Sequence, residues 1–145
     1  MNITKDFTDL KKELKEKWLV YCERNETWIF NLMDSHRLWV KTQENIEEDL
    51  KSFIDANWQT SRPNSDFMIG VVSILSPQIC EFIEVIMTAT TDRTSIIKSL
   101  DLDFDPFLEI ERRKFSQNQQ ATLIPASSEL DDIREQIKQN SGETT

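Results

Sequence analysis

RPNSDFMIGVVSILSPQICEFIEVIMTA, residues 62–89, is the stretch whose reading decides the fold. Phe67 to Cys80 contains no charged residue, and its apolar positions fall on every side of a helix, which predicts a buried central element. Pro63 pushes Arg62 toward an extended backbone. Asn64 or Ser65 can cap a helix over Ser65–Leu75. Ser76 suits the N-cap and Pro77 the first position of a second helix reaching about Thr88. A helical hairpin is therefore expected at the centre, with Gly70 allowing close backbone approach.

Upstream, Phe7, Leu10, Leu14, Trp18 and Tyr21 recur at three- and four-residue steps, with Lys11, Lys12, Lys15, Glu16 and Glu23 on the other side. That spacing predicts an amphipathic helix. Leu19, Val20 and Cys22 widen its stripe, so deeper burial is expected toward its C-terminal half, before a corner at residues 23–26. Residues 27–58 fit either one long, kinked helix or two helices meeting near 41–44. The long helix is favoured, because no Gly or Pro interrupts it and Glu44, Glu47 and Glu48 are strong helix formers. It would place His36 and Gln43 on the apolar stripe.

Downstream, Asp92 can cap a short helix carrying Ile96, Ile97 and Leu100. Asp101, Asp103 and Asp105 then alternate with Leu102 and Phe104. A calcium loop would require Gly at its sixth position and Glu at its twelfth, where this chain has Pro106 and Arg112. The preferred reading turns Leu102 and Phe104 inward and the acids outward, with Asp105 capping a last helix that Pro106 begins. Ser116–Ser128 reads as a flexible linker, followed by a short helix with Leu130, Ile133 and Ile137 on one side. The expected organisation is an all-α bundle of about five to six helices over residues 1–114, with a linker and tail helix over 115–145.

The charge balance, 26 acidic against 17 basic residues for a net −9, opposes nucleic acid and anionic membranes as partners. With 2 glycines and 4 prolines the chain has too few turn-formers for a many-stranded sandwich. Cys22 and Cys80 sit inside apolar helical patterns and read as reduced core thiols. His36 is the single histidine, with no clustered cysteines to join it as metal ligands. The longest uncharged run is shorter than a membrane span requires, and no signal segment is evident, so a cytoplasmic protein is expected. Neither a glycine-rich phosphate loop nor a nucleophile motif occurs. No catalysis and no cofactor are expected.

Trp18, Tyr21, Asn25 and Trp28, then Arg62-Pro63 with Ser65, then Ile69, Gly70, Val71, Ser73, Leu75 and Pro77, then Leu100, Leu102 and Phe104-Asp105-Pro106 resemble a small cyanobacterial family of unknown function. The resemblance covers Phe7 to Leu108. It implies a cytoplasmic protein without assigned catalytic residues.

The favoured expectation is a non-catalytic interaction or regulatory module that contacts another protein or a second copy of itself. Leu130, Ile133, Ile137 and Trp39 would form the contact in helix-in-groove fashion. One alternative is a receptor for a small anionic effector (nucleotide or metabolite) held by Arg62 with Arg93 or Arg112 and Arg113 beside an exposed tryptophan. A DNA-binding helical domain is a third reading, opposed by the net charge.

Overall fold

The computed structural model describes residues 3–123. Among them run α1 (Ile3–Arg24), α2 (Glu26–His36), β1 (Val40–Lys41), α3 (Glu48–Lys51), β2 (Ser61–Arg62), α4 (Ser65–Leu75), α5 (Ile79–Ala89), α6 (Arg93–Ser99) and α7 (Pro106–Leu123). The protein is all-α. Its β1 and β2 form one short antiparallel ladder, with Val40 opposite Arg62 and Lys41 opposite Ser61. The chain divides into a unit that ends at Ile110 and one that begins at Glu111.

In the first unit α4 packs against α1, α5 and α6. Its start is set by Asn64, whose Oδ1 accepts the amide N–H of Asp66 at 2.9 Å and of Phe67 at 3.4 Å. Met68 and Val72 on α4 are fully buried against Leu14 and Trp18 of α1 and Ile79 of α5, all members of one apolar core. Each such side chain contributes about 1.5–3 kcal/mol on leaving water. Phe7 extends the contact by stacking on Phe82 with ring centres 4.4 Å apart.

The expected hairpin is present as α4 and α5, but α4 is not buried all round. Ile74 is 80% exposed, and Gly70 is exposed with nothing within 4 Å of where a Cβ would stand. Gly70 therefore serves no close helix approach. The second helix starts at Ile79 rather than at Pro77. Ser76 and Pro77 lead into it through a turn, their carbonyls accepting the N–H groups of Ile79 and Cys80. Asp92 caps α6 as expected, its carboxylate accepting from Thr94 N–H and Ser95 Oγ.

The largest departure lies between residues 27 and 58. The helix stops at His36 because Arg37 takes the left-handed conformation, φ 53° and ψ 48°, and its N–H closes on the Met33 carbonyl. Leu38 N–H bonds to the same carbonyl at 2.9 Å. This is a left-handed helix end built without glycine. Beyond it Trp39 lies against Phe30 and Phe107, with ring centres 5.0 and 6.2 Å away, and Val40 pairs with Arg62. Aromatic packing and ladder pairing outweigh the local helix preference of residues 44–48, of which only Glu48 is helical, in the one-turn α3. His36 and Gln43 are exposed rather than on an apolar stripe.

The second unit begins within α7, which continues to Leu123. Residues 116–123 are thus helical where a linker was expected. The segment Glu111–Leu123 has neither Gly nor Pro, and Glu111 pairs with Lys114 one turn away at 3.5 Å. The expected linker beyond Leu123 and the tail helix lie outside the described residues.

Arg37 is exposed and pays the steric cost of a positive φ. Replacing it by glycine, Arg37→Gly, is expected to raise the unfolding free energy by about 0.5–1 kcal/mol in urea titrations. A helix continuous through this position would instead lose a similar amount.

Candidate interaction surface

Two constellations involve the residues singled out from sequence, one internal and one on the surface. The internal one centres on Arg62. Its side chain is wholly buried. Nε donates to Asp103 Oδ1 at 2.7 Å, and Nη1 donates to the Pro63 carbonyl at 3.0 Å and to Ser65 Oγ at 3.2 Å. Pro63 is next to Arg62 and Ser65 three residues on, so the turn into α4 is folded around the guanidinium.

Two residues on, Asp105 gathers four N–H donors. Oδ1 accepts from Phe107 and Leu108 at 3.0 Å each, capping α7, while Oδ2 accepts from Trp58 Nε1 at 2.9 Å and Ser61 N–H at 3.1 Å. Its own N–H donates to Glu44 Oε2 at 2.8 Å, which also accepts from Thr42 Oγ1. Burial holds the Asp105 carboxyl above the ordinary aspartate value, although the bonds from Trp58, Leu108 and Ser61 pull it down. The alternation expected for 101–105 holds for buried Leu102, and the cap at Asp105 is present. The acids do not all face outward, however: Asp105 is buried and Asp103 is taken up by Arg62.

The surface constellation lies where α1 meets α2. Asn25 stands alone between the two helices and joins them: Nδ2 donates to the Tyr21 carbonyl and Oδ1 accepts from Trp28 Nε1, both at 2.8 Å. Trp28 is thereby held edge-on to Tyr21 and to Phe67, at 6.3 and 5.9 Å, with Trp18 buried beneath them. Beside this aromatic group opens a groove of about 410 Å³ with Val20, Tyr21 and Leu75 as its apolar floor and Glu16, Lys17, Arg24 and Asn25 as its rim. Val20 is 47% exposed, Trp28 43%, and Ile74 next to Leu75 is the most exposed large apolar residue of the described chain. The deeper burial expected for Val20 is thus corrected. Leu19 and Cys22 turn into the core, while Val20, 200° around the helix from Trp18, faces out. That angle was the sequence signal for the groove. Burial also pushes the Cys22 thiol up, and both cysteines are free.

The structure disperses the other residues expected at sites. Trp39 is half-buried, and its Nε1 donates to Asp34 Oδ1 at 2.6 Å. Arg62 is sealed from solvent, which corrects the expectation that it could reach an effector. Arg93 is exposed and pairs with Asp66 at 2.8 Å beside an open polar pocket that Arg62 does not line. Arg112 and Arg113 belong to the second unit, are half-buried and are engaged in interactions of their own. Leu130, Ile133 and Ile137 lie outside the described residues. Among the described residues no cluster of potential metal ligands occurs, and no helix is long and apolar enough to cross a membrane.

Fold and surface together define a small all-α domain whose buried charges serve its own structure and whose α1 bears an apolar groove. The model of a family of unknown function (DUF5331) matches residues 4–132, and the chain belongs to that family. No curated protein and no solved structure matches it.

Removing the Asp103 carboxylate leaves the Arg62 charge buried and unmatched. Asp103→Ala is expected to cost at least about 2 kcal/mol in denaturant unfolding. Arg62→Met takes the buried charge away with its partner's role and is expected to cost less. The opposite ranking would mean that the ion pair does not organise this turn.

Proposed function

We propose that the protein is a non-catalytic interaction or regulatory module, cytoplasmic as the cyanobacterial resemblance implies, that recognises another protein through the α1 groove. The single observation that supports this is apolar surface exposed at the α1 groove, where Val20 stands 47% open with the 43% exposed Trp28 beside it. Val20 and Tyr21 of α1 and Leu75 of α4 line it, and Trp28 of α2 packs edge-on against Tyr21. Contiguous apolar surface with an aromatic anchor and a polar rim is the usual anatomy of a protein-binding site. The tail stripe of Leu130, Ile133 and Ile137 remains part of this reading as a second docking element. The effector reading has less support, since Arg62 is enclosed and Arg93 is committed to Asp66.

Val20 points away from the core, so Val20→Glu leaves the fold intact, as circular dichroism will show, while placing a charge on the groove floor. Affinity capture from the native cell is expected to recover a partner with the full-length chain and to lose it at least tenfold with Val20→Glu. Equal recovery by both would overturn the proposal.

A further inference from the structure

The rim of the groove carries information about what it takes. Lys17, Val20, Tyr21 and Arg24 are spaced i, i+3, i+4 and i+7 on α1, so they share one face, with the two cations about 10 Å apart and the apolar pair between them. Lys17 is exposed and reaches the Leu75 carbonyl at 3.5 Å, which holds its ammonium over the groove's α4 side. Arg24 is exposed and has no carboxylate partner among the described residues. Glu16 is the one acid on the rim and already has an interaction of its own. On a chain of net charge −9 this face is locally cationic.

We propose that the groove binds an acidic amphipathic helix of another protein, with apolar residues on Val20, Tyr21 and Leu75 and carboxylates two turns apart on Lys17 and Arg24. The helix-in-groove mode fits an apolar floor one or two side chains wide. Carboxylates at i and i+7 on the incoming helix match the 10 Å spacing of the cations. A second copy of this chain is the competing occupant, and the self-association arm of the test below separates it from an acidic helix. The inference rests on the interaction reading above and adds the chemistry of the partner to it.

The test uses the full-length chain and two labelled synthetic helical peptides with the same leucine stripe, one with glutamate and the other with lysine at the two flanking positions. Fluorescence anisotropy is expected to show binding of the glutamate peptide, at least tenfold tighter than the lysine peptide and weakened by salt. The double variant Lys17→Glu/Arg24→Glu is expected to reverse that preference, and Val20→Glu to abolish binding of both. Equal binding of the two peptides, no reversal by the double variant, or no binding up to about 1 mM would overturn the proposal. Self-association of the full chain that Val20→Glu dissolves would overturn it too, by making a second copy the occupant. Loss of the cellular partner in Val20→Glu together with charge-blind peptides would remove this inference and leave the interaction reading standing.

Discussion

A guanidinium that cannot reach water has to be answered by an anion and by carbonyls, and the need to supply them at Arg62 governs how distant parts of the chain meet. Asp103 comes from the connection after α6, while Pro63 and Ser65 come from the turn into α4. Bringing Asp103 to Arg62 brings Asp105 to Ser61 and Trp58, and so lays the first turn of α7 beside the β1–β2 ladder. An ion pair of this kind adds little net stability, because desolvation offsets the attraction. Its effect is on arrangement, since few other placements of residues 61–65 and 103–107 give partners to Arg62 Nε and Nη1 and to Asp105 together.

The apolar core is bound to that arrangement from the other side. Met68 lies one turn beyond Ser65, with its sulfur 3.7 Å from Arg62 Nη1. Phe107, whose N–H is held by Asp105, receives the rings of Phe30 and Trp39. The polar turn thus sets the axial position of α4 in the core. The aromatic contacts set where α2 must end.

Sequence reasoning succeeds where a local rule and the tertiary structure agree. Asn64 and Asp92 cap helices that begin beside them, Asp105 and Pro106 open α7, and the stripe of Leu10, Leu14 and Trp18 is buried. It fails at Arg37, because a left-handed helix end without glycine leaves no mark in composition and depends on contacts with Phe107 about seventy residues away. It also fails at Arg62, where a charged side chain reads as surface until Asp103 is seen beside it. The groove was partly legible. Val20 stands off the stripe of its own helix, but only the approach of Leu75 from α4 turns an exposed valine into the floor of a cleft.

Thr42 and Thr60 clasp each other across the ladder: Thr42 N–H donates to the Thr60 carbonyl, and Thr60 Oγ1 donates to that of Thr42. The residues between them leave and return at one point, but Glu44 and Trp58 bond Asp105 and Leu50 is buried, so freedom of length is confined to the mostly exposed residues 51–57. Changing that length by a few residues alters closure entropy by well under 1 kcal/mol. The protein therefore possesses at residues 51–57, beside a tightly specified interior, a graft point where sequence can be exchanged or enlarged while the helices keep their places.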